Sequence, residues 1–384
     1  MLMRPVRRFG PEADRDTALP LTLALVGAGH AHLPVLAKAE RLRASGIEPV
    51  LIAPDTFDYS GLASGVLSGA LAPESARIDV AALARANGVL HRATEVISID
   101  RDARTLRLGD GSLQSYDAVS FNIGSAVCDP HGWIGREGVW PVKPLSSLFA
   151  LRQTLETAFA GDTTPAIVVA GDGPTGFEIA AVLTGLHERH GRTPSLTLVG
   201  PDADARWAPG HAGRRLITRL DRRGVRLIAS GVAAHEAGRI ILSDGSSLSC
   251  DHLVLATGLQ APALTRALGV PLDEAERIKV APDLSSIGDD RVFAVGDCAT
   301  IAGHPRPFAG VFGVRAAATL INNLCGLGSG EPRRAYRPQD RWLSILDLGD
   351  RTGLAMRGDL WWQGRMALDV KRHLDIGFVK RSRA

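Results

Sequence analysis

Residues 106–124 read LRLGDGSLQSYDAVSFNIG and residues 240–258 read IILSDGSSLSCDHLVLATG. Overlaid without gaps, they put Asp110, Gly111, Asp117 and Gly124 on Asp244, Gly245, Asp251 and Gly258. Each copy has an Asp-Gly turn between two short strands, then a more apolar strand that stops at a glycine. Each is preceded by a glycine-rich turn, Gly27-Ala28-Gly29 in the first and Gly171-Asp172-Gly173 in the second. The turns lie slightly further apart than the hairpins, so one copy carries extra loop residues. Two matched units of strand, glycine-rich turn, helix, strand and hairpin predict an α/β fold of two tandem Rossmann-like domains, with the three-layer architecture of dinucleotide-binding units.

Working outward, apolar runs predict strands at 21–26, 50–53, 166–170, 196–199 and 291–295. Helices are expected to open at the 27–32 turn and to run over about 175–186 and 309–324. The tail, 336–384, reads as a hairpin (342–348 and 354–356 around Gly349-Asp350) followed by an amphipathic basic stretch. The chain has 384 residues, 45% hydrophobic and 22% charged, enough for two or three globular domains. A net charge of +3 gives no basis for nucleic-acid binding. No uninterrupted apolar run approaches the ~18 residues of a membrane-spanning helix. The start, MLMRPVRRFGPEADRDTALP, has basic residues but no apolar stretch after them, so it does not read as a secretory signal. Cys128, Cys250, Cys298 and Cys325 never form CxxC, which argues against a disulfide framework or a zinc ribbon. An intracellular, mostly soluble protein is expected.

The second turn is a full Gly171-x-Gly173-x-x-Gly176-x-Glu178, placed between a strand and a helix. Its first glycine permits the tight turn, the second lets a pyrophosphate approach the backbone, and the third lets the helix pack close. The phosphates then face free N–H groups at the positive end of the helix dipole. In the first turn His32 takes the place of the third glycine, so it should push the helix away or point outward. His30 and His32 have no nearby carboxylate or third histidine in sequence, and His187-Glu188-x-His190 lacks the i, i+4 spacing of a zinc site, so no metal is expected. The acid that usually meets the adenosine ribose is missing in both units, where Ala53 and Gly200 stand, with Asp55 and Asp202 two residues on. Arg206 would suit a 2′-phosphate, whereas Asp202 and Asp204 would repel one, so NADH is favoured and NADPH is left open.

With VFAVGDCA (292–299) and Ala256-Thr257-Gly258 added to the two turns, the chain resembles the FAD-dependent pyridine nucleotide-disulfide oxidoreductase superfamily. Within it, the chain resembles the type II NADH dehydrogenase-like branch, and most of all the subgroup often fused to selenide, water dikinase. The residues that carry this are VGAGHAHLPVL (26–36), DYSGLASGVLSGAL (58–71), PVKP (141–144), GDCATIAGHPRPFAGVFGVR (296–315) and WWQGRMALDVKRHLDIGFVKR (361–381). This chain ends without a kinase, so such a partner would be a separate polypeptide. The resemblance implies an FAD-binding domain in two parts, 20–140 and 263–335, around an NAD(P)H-binding domain at 141–262, with 336–384 as hairpin and amphipathic basic helix. It implies that FAD lies over Gly27, Ala28, Gly29 and His30, with Gly124, Gly296 and Asp297 also contributing; Asp297 would accept hydrogen bonds from the ribityl chain. NADH would lie over Gly171, Gly173 and Gly176, and Thr257 and Gly258 are further implied cofactor-binding residues. Glu178 and Lys143 are the implied catalytic pair, expected to meet each other near flavin N5.

The implied activity is that of an FAD-dependent NAD(P)H dehydrogenase, passing a hydride from NADH to flavin and electrons on to a quinone-like acceptor. A reductase of a soluble electron carrier and a low-turnover redox-sensing scaffold are the alternatives. Without CxxC, a thiol relay would need Cys128 and Cys298 to meet. In the tail, Trp362, Met366, Val370, Leu374 and Phe378 recur every fourth residue among basic side chains. This helix would either lie on the inner face of the membrane as a peripheral contact of a cytoplasmic protein, or pack on the FAD domain. A strict four-residue spacing drifts about 40° per step on an α-helix, which weakens a single stripe.

Overall fold

A computed structural model describes residues 19–383, so nearly all of the N-terminal stretch read above as no secretory signal lies outside the described residues. Two largely parallel sheets carry the fold. The first has the spatial order Ala299–Ile301, Ile278–Val280, Ser285–Ser286, Asp289–Ala294, Ala118–Phe121, Leu21–Val26, Ile47–Ile52, Leu90–Arg92. At its centre Leu25 lies opposite Leu51 on one side and Ser120 on the other. The second sheet has the order Val139–Pro141, His252–Leu255, Ile167–Ala170, Leu196–Gly200, Val225–Ala229, all parallel. Strands such as LTLALV and IVVA are nearly unbroken apolar runs because the parallel sheets are buried on both faces, with residues of the antiparallel strands such as Leu106 and Ile240 sharing their cores. Three antiparallel strands flank each sheet, at residues 96–115 and 232–249.

The repeat holds residue for residue. Thr105–Leu108, Leu113–Ser115 and Ala118–Phe121 in the first unit match Arg239–Leu242, Ser247–Ser249 and His252–Leu255 in the second, in the register of the sequence overlay. Asp110 Oδ1 accepts from the Ser112 amide at 2.9 Å and hydroxyl at 2.7 Å; Asp244 Oδ1 does the same with Ser246 at 2.9 and 2.6 Å. Asp117 accepts from the Thr22 amide at 2.8 Å and Asp251 from the Ala166 amide at 2.7 Å. The residues that recur therefore build the hairpin turn and tie its exit to the first strand of the unit.

The units differ in their first helix. In the second unit it runs unbroken over Pro174–Arg189, whereas in the first it is split into His32–Leu36 and Ala39–Ala44. Gly310–Ser329 is long and apolar enough to cross a bilayer by length and composition, with mean hydropathy 1.2. Reading for unbroken runs missed it because Arg315, Asn322 and Asn323 interrupt the apolar residues. Half of it is buried within the fold, with Ala316, Ala317, Leu320 and Leu324 in the first unit's core.

The tail adds a strand that was not expected, Leu360–Gly364, to the hairpin Ser344–Asp347 and Gly353–Arg357. Trp362 belongs to that strand, so the fourfold stripe is not one helix face. In the helix Arg365–Arg383 the buried residues are Ala367 and Leu368 near its start and Phe378, Val379 and Ser382 near its end, while Met366 and Leu374 are exposed. The angular drift separates them as helix geometry requires. Leu346, Leu348, Leu354 and Met356 of the hairpin join the second unit's core, and Phe378 and Val379 join the first's. The tail thus straddles both units.

Candidate functional site

At the two turns the glycines divide by what surrounds them. A Cβ at Gly27 (φ +84°) would lie 2.6 Å from the Asn122 carbonyl oxygen, and one at Gly171 (φ +126°) 2.1 Å from that of Ala256. A Cβ at Gly29 would meet Asn122 Oδ1 at 2.6 Å, one at Gly296 would meet Asn122 Nδ2 at 2.6 Å, and one at Gly176 would lie 1.8 Å from the Gly171 oxygen. Gly27, Gly171 and Gly176 let backbones meet, and Gly29 and Gly296 make room for the Asn122 side chain. At Gly173 in the second turn, and at Gly124 and Gly258 beyond the strands Ala118–Phe121 and His252–Leu255, a Cβ would meet nothing within 4 Å, so open space lies over the second turn and beside these strand ends. Ala28 is buried beneath the first turn, and Thr257 donates its hydroxyl to the Cys128 carbonyl. Asp172 accepts from the Asp202 and Ala203 amides at 2.8 and 3.0 Å, and Arg206 pairs with Asp204.

His32 points inward, against the outward alternative, and is fully buried. Its Nδ1 lies 2.6 Å from the Gly27 carbonyl and its Nε2 2.8 Å from the Ser120 hydroxyl. A carbonyl only accepts, so Nδ1 carries the proton and Nε2 accepts from Ser120. Asn122 Oδ1 accepts from the Ala31 and His32 amides at 2.9 and 3.2 Å, and its Nδ2 donates to the Val295 carbonyl at 2.8 Å. The second unit has Gly176, Val254 and Ala256 at the positions of His32, Ser120 and Asn122. Where Gly176 lets its helix touch the turn, the imidazole bridges the same gap by hydrogen bonding.

Burial lowers His32 from 6.5 to about 4. It is therefore neutral in the fold and protonated first in the unfolded chain, so its contribution is complete above about pH 6.5 and is lost as pH falls towards 4. About 3 kcal/mol of stability should disappear across that window. Urea unfolding of wild type and His32→Leu at several pH values checks this. The leucine variant should be less stable at neutral pH and lose less on acidification; parallel pH profiles would refute the assignment.

Lys143 does not pair with Glu178. Its ammonium donates to Ser125 Oγ at 2.6 Å and Asp297 Oδ2 at 3.0 Å, and Ser125 also donates to that oxygen at 2.8 Å. PVKP begins at the last residue of the edge strand Val139–Pro141, and Lys143 just beyond it reaches the GD turn. Burial alone would raise Asp297, but the Lys143 charge and both hydrogen bonds outweigh it and hold the carboxyl below its ordinary range. His30 stands beside them, in edge contact with Phe57 and Tyr59 and tilted against Phe378 of the last helix. Burial lowers it to about 4, so it too is neutral at pH 7.

Glu178 has other partners, and sequence reasoning named none of them. The Asp347 amide donates to its Oε1 at 2.8 Å, and Ser64 hydrogen-bonds its side chain. Burial raises its pKa, against the nearby charge of Lys371. Lys371 donates to the Gly61 carbonyl at 2.5 Å and Asp375 at 3.0 Å. Burial would lower it, but Glu178 and Asp375 raise it overall. Tyr59 donates to Asp375 at 3.0 Å and stacks on Phe378 with ring centroids 4.6 Å apart. The segment 58–71 is therefore the crossing point between the two units and the tail. All four cysteines are free; Cys298 is buried with Sγ against the Phe121 and Val295 carbonyls, and burial pushes its thiol up to about 11.

A tandem pair of dinucleotide turns with one buried, polar crossing defines a flavin- and nicotinamide-dependent oxidoreductase. The comparisons agree. Residues 21–319 match the family model described as pyridine nucleotide-disulphide oxidoreductase. A NADH dehydrogenase-like protein of Mycobacterium tuberculosis is 30% identical over 292 residues, 71% of each chain. A type II NADH:quinone oxidoreductase of Staphylococcus aureus is 24% identical over 382 residues, 92% of this chain and 94% of that one. Among solved structures, the sulfide:quinone oxidoreductase of Aquifex aeolicus superimposes with a TM-score of 0.77 at 18% identity, over 94% of this chain and 91% of that one. The chain belongs to the pyridine nucleotide-disulphide oxidoreductase family, and it is an FAD-dependent NADH oxidoreductase.

Proposed function

We propose that the protein is an NADH dehydrogenase that passes electrons from its flavin to a quinone at a membrane surface. The observation that carries this is the extent of the likeness to the type II NADH:quinone oxidoreductase. At 92% of the chain it runs past residue 319, where the family model stops, and into the tail that closes over the crossing. FAD, when bound, takes the hydride that NADH supplies. In this reading Gly27, Ala28, Gly29, His30, Gly124, Gly296 and Asp297 hold FAD, and Gly171, Gly173, Gly176, Thr257 and Gly258 hold NADH.

The chain's own residues have separate tasks. Lys143 and Ser125 fix the Asp297 carboxylate as an acceptor for a hydroxyl-bearing ligand chain. Glu178, raised by burial and facing Lys371, holds or releases a proton at its carboxylate as an acceptor is reduced. The outward face of the last helix, with Met366 and Leu374 exposed and Arg365, Lys380 and Arg381 around them, rests on anionic lipid.

The test is an anaerobic titration with NADH, followed by a short-chain quinone supplied in anionic vesicles. Flavin absorbance should bleach, then recover within seconds. A flavin that bleaches but stays reduced would overturn the quinone reading and leave the NADH oxidoreductase standing.

A further inference from the structure

A strongly charged concavity lies away from the dinucleotide turns. Five arginines, Arg214, Arg215, Arg219, Arg222 and Arg223, line a cleft of about 740 Å³ with Glu188, Asp350, His211, Thr218 and Gln363. Most come from the helix Ala212–Arg222, whose Ala212, Gly213, Leu216 and Leu220 face the core. His211, Arg214, Arg215, Thr218, Arg219 and Arg222 recur at steps of three and four, so they share the opposite face, with neighbours about 5–6 Å apart at Cβ. The facing wall is the C-terminal hairpin, which supplies Asp350 and Gln363.

Two of the arginines are committed. Arg219 pairs with Asp350, and Arg223 donates to Glu188 at 2.8 and 3.1 Å and to the Leu348 carbonyl at 2.5 Å. Arg215 lies over the Trp361 ring, 5.5 Å from its centroid, and Arg214 contacts His211. Among the described residues, no carboxylate pairs with Arg214, Arg215 or Arg222. On a convex surface such charges would simply be solvated. In a cleft, guanidinium forks one turn apart repel one another and present donors to the same space, which anionic oxygens relieve.

We propose that this cleft is a binding site for an oligophosphate, either free or as the phosphate tail of a nucleotide. The spacing of the forks suits successive phosphates, and the volume falls within the range of small-molecule pockets, below what a folded partner needs. The site is separate from the NADH turn. Both touch the helix Pro174–Arg189, but Gly176 is near its start and Glu188 near its end, about 18 Å apart at 1.5 Å per residue. Arg206, paired with Asp204 in the loop after Leu196–Gly200, does not line it.

Calorimetric titration of the FAD-loaded protein with sodium tripolyphosphate tests this, with NAD+ saturating the dinucleotide turn and ionic strength held near ~0.15 M. One binding event is expected, weakened at least tenfold in Arg214→Gln/Arg222→Gln. Both side chains are exposed and free of ion pairs, so the melting temperature should not move. A control pair on the first unit, Arg85→Gln/Arg107→Gln, should bind as wild type does. Tighter binding of ATP than of tripolyphosphate would assign the nucleotide form, and equal binding the free form. No binding at millimolar tripolyphosphate, equal binding by the Arg214/Arg222 variant, or tighter binding of a polyglutamate peptide would overturn the proposal.

Discussion

In Gly176→Ala, flavin reduction by NADH is expected to slow at least about a hundredfold while FAD stays bound. The added methyl would lie 1.8 Å from the Gly171 carbonyl oxygen, a backbone atom with little freedom to yield. Gly171 is itself fixed, because its amide donates to the Val199 carbonyl at 2.8 Å and its own approach to Ala256 leaves no room behind it. The helix Pro174–Arg189 must therefore shift outward, at an overpacking cost of about 1–3 kcal/mol. A displacement near 1 Å at a reacting centre is enough for about a hundredfold in rate. Gly176 lies in the second unit, so the FAD turn at Gly27–Gly29 is untouched. Stopped-flow bleaching measures the rate, and the flavin-to-protein absorbance ratio measures FAD content. Gly173→Ala is the informative contrast. Its methyl meets no atom of the protein, so the melting temperature should hold and only NADH affinity should fall. A Gly176→Ala rate within tenfold of wild type would mean that the helix relaxes without moving the nicotinamide site.

The tandem arrangement is legible in the sequence because its determinants are local. Asp-Gly turns, apolar strands and glycine-rich turns act over a few residues, and they appear twice. The first turn was harder to read. His32 looks like a defect in a glycine motif until its bonds to Gly27 and Ser120 are seen. Comparing the two copies at Gly176, Val254 and Ala256 would have exposed it, since three apolar or glycine positions in one unit become three mutually supporting polar ones in the other.

The crossing was not legible. Lys143 and Asp297 are far apart in sequence, as are Glu178, Asp347 and Lys371, and only the docking of the units and the tail brings them together. The tail was misread for a different reason. An apolar residue at every fourth position suggested one face, but the strand Leu360–Gly364 takes Trp362 and the helical drift turns Met366 and Leu374 away from Phe378.

The partner of Lys143 can be established by rescue. Lys143→Met is expected to lower stability by about 3 kcal/mol near neutral pH, because it leaves Asp297 charged and largely buried with Ser125 as its remaining side-chain donor. Adding Asp297→Asn should recover most of the loss, since the amide has no charge to compensate. The pH dependence has a definite sign. In wild type the Asp297 carboxyl is held below its ordinary range, so its contribution is complete at neutral pH and lost on acidification through the folded value. Without the ammonium, burial dominates and the carboxyl moves up, so the variant binds a proton on folding and is relieved as pH falls. The stability gap between wild type and Lys143→Met should therefore be widest near neutral pH and narrow towards about pH 4. Denaturant unfolding of the two single variants and the double variant supplies the cycle. Rescue by Glu178→Gln in place of Asp297→Asn would restore the pairing that the sequence suggested. A gap that stays constant with pH would show that Lys143 acts by packing its chain and not by its charge.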